Sequence, residues 1–256
     1  MNHPFLNGGG HIAQIIASHD WSRTTLGPIA SWPQWLRTTV STMLRSTLPM
    51  VALLGREGVM IYNDGYSVFA GRRHPLSLGS NVRESWPEVA DFNDYILRVG
   101  LAGGTLAYKD QEMTLLRSGK PEQVWMNLDY APIVDDGGTP CGVLVVVVET
   151  TDKVRAEQQL RASENTFRTL AQTIPSQVWA ADADGAMNWF NDQVYRYSGA
   201  QPGQLTGDAW DDIVHADDRA RVSQAWRVAV VTAQNFEGEY RIRRADGAWR
   251  WHLVRA

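Results

Sequence analysis

The chain has 256 residues, 44% apolar and 20% charged, a soluble globular composition with length for one large or two small cores and no sign of extended disorder. A net charge of −4, with both signs interspersed, offers no basic face for nucleic acid or an anionic membrane. The single cysteine, Cys141, excludes an internal disulfide framework and a cysteine-built zinc site, and makes a reducing, cytoplasmic setting the expectation.

In chain order, residues 1–47 read as a flexible Gly-rich lead followed by a helical extension. "HIAQIIASHDW" and "SWPQWLRTTVSTMLRS" have apolar residues at helical spacing, with Ser31 as a candidate cap and Pro33 in the first turn of the second helix. From Leu48 the period changes: "MVALLG" and "VMIY" predict a β-hairpin, followed by a helix over 64–71 and a longer helical stretch interrupted near Pro87. "TLAYKDQEMTLLR", "EQVWMNLDYAPIV" and "CGVLVVVVETT" predict three strands, joined by "SGKP" and "DDGGTP". The apolar run Gly142–Val148 is far short of the roughly 20 residues that cross a bilayer, and the N-terminus lacks the plan of a signal peptide.

Residues 152–174 are charged and helical. Ala156, Leu160, Ser163, Phe167, Leu170 and Ile174 alternate spacings of four and three, which suits either a parallel two-stranded seam or a helix packed on its own domain. After Pro175 the first pattern restarts: a hairpin in "SQVWAADADGAMNWF", a helix in "DDRARVSQAWRVAVVTA", and a hairpin turning at Asp246-Gly247. Trp179, Trp189, Trp249 and Trp251 are expected to pack the second sheet.

The strongest internal signal is a repeat. "IYNDGYSVFAG" at 61–71 returns as "WFNDQVYRYSG" at 189–199, with the Asn-Asp pairs 128 positions apart. An Asn or Asp there accepts hydrogen bonds from the free amides of a new helix, and Gly71 and Gly199 suit a left-handed C-cap.

The repeat, the order of strands and helices, "ETTDKV" after the last strand of the first copy and "HADDR" at 215–219 together resemble the PAS sensory family. "DWSRTTLGPIASWPQWLRTTVSTMLRSTLPM" extends the resemblance to the input regions of bacterial PAS-containing sensor histidine kinases. The resemblance implies an α+β fold of two PAS domains, each an antiparallel five-stranded sheet flanked by short helices. Residues 48–151 and 175–256 would be the domains and 152–174 the signalling linker. Aligning "MNLDYAP" with "WHLVRA" sets Ala131 opposite Ala256, so the second copy is expected to stop before its last strand, as a fragment or with its sheet edge covered another way.

For the site, the resemblance implies a relay at Glu149, Thr150, Thr151 and Asp152, where an acidic residue ties the last strand to the outgoing helix. A small-molecule pocket in the first module is expected among Tyr62, Tyr66, Phe69, Trp86, Tyr95 and Trp125. Leu160, Phe167 and Leu170 are the expected seam of a homodimer. Neither copy has a cysteine in the helix after the Asn motif and no histidine suits haem, so covalent flavin photochemistry and haem are disfavoured; the cofactor is otherwise open. The six histidines show no metal-ligand spacing, and no phospho-accepting histidine motif or ATP-binding box occurs, so no catalysis is expected within these residues. The expected role is the cytoplasmic input of a sensor histidine kinase (EC 2.7.13.3) in a two-component phosphorelay, with kinase domains downstream in cis. The alternatives are input to a cyclic-dinucleotide enzyme or a transcription regulator, a ligand-free PAS dimerisation module, and a free-standing small enzyme.

Overall fold

Apolar residues at helical spacing bury one face of each N-terminal helix. Helix α1 (Gly10–Ser18) buries Ile12, Ala13 and Ile16, and α2 (Gln34–Leu44) buries Leu36, Val40, Met43 and Leu44. The computed structural model describes residues 3–256, which form two compact units, one reaching Glu157 and the other running from Gln158 to Ala256. Ser31 does not cap α2: its hydroxyl donates to the Pro28 carbonyl, and Pro33 occupies the N-cap with extended backbone.

In the first unit β1 (Met50–Leu54) and β2 (Val59–Tyr62) form the expected hairpin, with Val51 opposite Tyr62 and Leu54 opposite Val59. Helices α3 (Asp64–Ala70), α4 (Val82–Ser85) and α5 (Ala90–Leu101) follow. Pro87, which lacks an amide and crowds the preceding turn, separates α4 from α5 through a 3₁₀ turn. Strands β3 (Leu106–Leu115), β4 (Glu122–Val134) and β5 (Pro140–Glu149) complete an antiparallel sheet in the order β2-β1-β5-β4-β3.

β5 therefore lies in the middle of the sheet, paired with both β1 and β4, and the apolar run sits where both neighbours shield it. Val143, Val145 and Val147 face the core. α2 packs against β1 and β2, burying Ala52, Leu54, Val59 and Ile61 on the opposite face. Burial on both faces explains why these two strands lack the alternation of a half-exposed sheet.

Helix α6 (Thr151–Thr173) starts one residue after β5 and is exposed from Arg155 to Leu170. In the second unit β6 (Trp179–Ala181) pairs with β7 (Met187–Phe190), α7 (Asp192–Ser198) and α8 (Ala216–Thr232) follow, and β8 (Glu237–Arg243) pairs with β9 (Trp249–Arg255). The two hairpins are separate ladders around a core that includes Met187, Phe190, Val194, Val222 and Tyr240.

The hairpin registers correct the alignment of the copies. Leu115 opposite Glu122 and Ile242 opposite Arg250 are the first pairs whose β3 or β8 member faces the core, which puts Leu128, not Ala131, at the place of Ala256. The 128-residue offset of the Asn-Asp pairs thus holds to the end of β9, whereas the sequence alignment shifts the strand by an odd number and exchanges its faces. For the same reason Trp249 and Trp251 do not pack the core: they lie on the outward side of β9, 38% and 66% exposed.

Gly100 of α5 lies against β5, where an added Cβ would stand 2.3 Å from Val143 Cγ2. Gly100→Ala should destabilise the first unit by about 1–3 kcal/mol through overpacking. Val143→Ala in the same chain should recover part of the loss, a coupling that a urea-unfolding double-mutant cycle measures.

Candidate functional site

Asn63 and Asn191 are fully buried. Asn63 Oδ1 accepts from the amides of Met50 and Tyr66, both at 3.0 Å, and Nδ2 donates to the carbonyls of Met43 (3.2 Å), Ser46 (3.1 Å) and Leu48 (2.7 Å). Asn191 repeats the arrangement. Its Oδ1 accepts from Val178 (3.1 Å) and Val194 (3.4 Å), and its Nδ2 donates to Ala171 and Ser176, both at 2.9 Å. The shared partners lie 20, 15 and 13 residues before each Asn and three after it. The expected capping is present, but it is one bond of four or five; the others reach the C-terminal turn of the preceding helix and the start of the first strand.

The neighbouring aspartates serve other segments. Asp64 accepts from the amides of His11 (3.0 Å) and Ile12 (2.8 Å) and so caps α1, not α3. Asp192 exchanges two hydrogen bonds with the Gln172 side chain near the end of α6. Gly199 adopts the left-handed C-cap (φ 74°, ψ 4°), whereas Gly71 (φ 59°, ψ −126°) turns the chain into a 3₁₀ segment.

Of the six aromatic residues expected to line a pocket in the first unit, Tyr66, Phe69 and Trp86 do so, with Asn93 and Tyr130. The cavity is about 50 Å³, against roughly 300–1,000 Å³ for sites that take drug-sized ligands. Tyr62 lies on the cavity side of edge strand β2, but its hydroxyl turns to His74 Nδ1 at 3.1 Å. Burial, with His11 nearby, holds the His74 pKa below the usual histidine value, favouring the neutral ring for this contact. Tyr95 is 40% exposed on the outer side of α5, beneath the Arg98 guanidinium. Trp125 faces away from the cavity because Val124, Met126 and Leu128 take the inward positions of β4.

Trp125 instead belongs to the exit from β5. Its carbonyl accepts from Thr150 N at 2.8 Å, its amide donates to Thr151 Oγ1 at 3.1 Å, and that hydroxyl donates to Glu149 Oε1 at 2.9 Å. Arg117 grips Glu149 with both guanidinium nitrogens (2.7 and 3.3 Å) and also donates to Glu122. Burial opposes the charge on Glu149, but the hydrogen bonds from Arg117 and Thr151 outweigh it and set its pKa below the usual carboxylate value. The Arg117 guanidinium stands 5.1 Å above the Phe69 ring, so one side chain touches both the cavity wall and the exit. Asp152 is exposed in the first turn of α6, where a carboxylate complements the helix dipole. Lys153 pairs with Asp110, and Arg155 donates to the Gln123 carbonyl.

The second unit holds a larger cavity of about 380 Å³, lined by Trp179, Trp210, Trp226, Phe236 and Tyr240. It touches residues on both faces of β9, including His252 and Leu253, and so runs out to a strand edge. In "HADDR", His215 caps α8 through Nδ1, and buried Asp218 accepts three hydrogen bonds from Arg241 of β8. The Arg241 side chain, aided by the Arg241 backbone amide, holds Asp218 at a pKa of about 2. Among the described residues no group of three His, Cys, Asp or Glu side chains could hold a metal, and no helix is long and apolar enough to cross a membrane.

Residues 50–152 match a family model described as a PAS domain, and residues 188–256 match one described as a PAS fold. The chain belongs to the PAS family. Its tandem PAS architecture is α+β and serves a sensory module. An uncharacterized protein y4lL of Sinorhizobium fredii is 26% identical over 114 residues, which cover 44% of this chain and 14% of that protein. The peroxide stress-activated histidine kinase mak1 of Schizosaccharomyces pombe is 27% identical over 139 residues, covering 49% and 8%. The chain thus matches a small part of each curated relative. Among solved structures, the PAS domain of Bordetella pertussis BvgS is 18% identical with a TM-score of 0.39, covering 52% of this chain and 99% of that one. A sensory box sensor histidine kinase from Vibrio cholerae is 21% identical with a TM-score of 0.32, covering 44% and 86%.

Because the Glu149 pKa is lowered in the folded chain, its bond to Arg117 contributes stability above the unfolded carboxylate value of about 4.5 and loses it as pH falls through the lower folded value. The melting-temperature difference between the native chain and Glu149→Gln should be full at neutral pH and shrink below about pH 4.5. A pH series of thermal melts reads this directly.

Proposed function

We propose that this PAS tandem is the sensory input of a histidine kinase acting in a phosphorelay, with residues 48–151 and 175–256 as its sensory domains and 152–174 as the linker. The observation that carries the reading is the exit of the first domain. Glu149 and Thr151 fasten the start of α6 to Arg117 and Trp125, so a change in the sheet reaches the helix through charge-assisted hydrogen bonds. A histidine kinase among the relatives supports an output of that class, with the kinase domains downstream in cis.

The small-molecule role moves from the first domain to the second. The core of the first is filled by its own aromatic side chains, whereas the cavity of about 380 Å³ in the second suits a compact apolar ligand that stacks on tryptophan. Leu160, Phe167 and Leu170, at heptad spacing, are 63%, 55% and 59% exposed. We assign them to a parallel seam with a second copy, since a largely exposed apolar stripe at heptad spacing gains by burial against its like.

The seam is tested by light scattering coupled to size exclusion. The native chain should run as a dimer, and Leu160→Glu with Phe167→Glu should weaken association on the order of 100-fold or more while leaving circular dichroism unchanged, from about 3 kcal/mol of lost burial. A native monomer at micromolar concentration, or a dimer indifferent to both charges, would remove the seam.

A further inference from the structure

Both asparagines are receiving residues of the relay, we propose: Asn63 reads the end of α2 and Asn191 reads the end of α6. This rests on the reading that α6 carries a signal.

Met43 and Ala171 lie in the last turns of α2 and α6, and each gives its carbonyl to an Asn 20 residues later. The C-terminal carbonyls of a helix have no partner within it, so a side chain that donates to one fixes where the helix stops. The same amide group accepts from Met50 or Val178, at the first strand, and from Tyr66 or Val194, in the next helix. Three segments therefore share one planar group, and shifting the helix end breaks a buried bond unless strand and helix follow. A simple cap would need only the last of these contacts. Capping also does not explain why the reach back to the preceding helix is the same in both copies, while the sequences between differ.

The equivalence gives the N-terminal extension a role. α2 meets the first domain through the contact by which α6 meets the second. It is thus an incoming helix of the same kind, and the chain has two receiving points, Asn63 and Asn191, with one exit, at Glu149 and Thr151, between them. Asp192 and Gln172 brace the second receiving point, and Asp64 holds α1 beside the first.

Hydrogen–deuterium exchange resolved to single amides tests the proposal in two arms. In the first, Asn191→Asp keeps the acceptor oxygens but loses the donor to Ala171 and Ser176. Exchange at 170–174 should rise about tenfold or more, with 43–50 unchanged, and Asn63→Asp should show the reverse. Asn191→Ser, which keeps an N-cap to Val194 but cannot reach Ala171, serves if the Asp variant does not fold. Unchanged exchange at 170–174 in both variants overturns the proposal.

In the second arm Arg117→Met loosens the exit. Exchange at the residue-191 amide, which donates to the Val178 carbonyl, should respond to Arg117→Met in the native background and not respond with Asn191→Asp or Asn191→Ser. If the change passes equally without Asn191, the relay stands and the receiving residue falls. If Arg117→Met changes nothing beyond Thr173 even with Asn191 present, the relay itself falls and both asparagines are structural ties alone.

Discussion

A carboxamide buried among backbone groups must satisfy its donors and acceptors or cost the fold the desolvation of each one left over. Asn63 and Asn191 meet that demand with peptide groups alone, drawn from the preceding helix, the first strand and the following helix. The consequence is geometric, because the planar group fixes the positions of all three segments at once. The rest of each unit can be built around this point. The hairpin starts at the strand it holds, the cavity-side helix starts at the amide it caps, and the helix before the domain ends where its carbonyl is bound.

The middle of the first sheet answers a second demand. β5 is shielded by neighbours on both sides, so it can be almost wholly apolar, and the chain leaves it into a helix in water within two residues. The change of environment is managed by charge. Arg117 sits against Phe69 while holding Glu149, and the Thr151 hydroxyl lies between that carboxylate and the Trp125 backbone. Packing on one side and ion pairing on the other let Arg117 touch both the cavity wall, at Phe69, and the end of β5, at Glu149.

Much of the fold was legible because each element carries its own period: the i, i+4 spacing of α1 and α2, the compact apolar run of β5, the Asp-Gly turn before β9. The wider role of the asparagines was not, since their partners are peptide carbonyls, which no residue type betrays. Only the equal spacing from Met43 to Asn63 and from Ala171 to Asn191 carries it, and that spacing has meaning once the helix ends are known. The pocket residues divided on facing. Tyr66, Phe69 and Trp86 meet around the small cavity, whereas Trp125 and the tryptophans of β9 were misplaced because strand parity depends on register. Register is set by pairings at the hairpins and by the bulge between Tyr108 and Gln111, which composition does not reveal.

The cover that α2 lays over β1 and β2 also restricts what can approach the first unit. On the side of the sheet opposite the cavity, β1 and β2 are roofed by α2, while Ala107, Ala131 and Leu144 of β3, β4 and β5 lie along a shallow trough. Any body that settles on that side must come in off-centre, with the roof as a lateral stop. The N-terminal extension thereby leaves the two flanks of that surface unequal, and limits which orientations of a neighbour are sterically open there before any attraction acts.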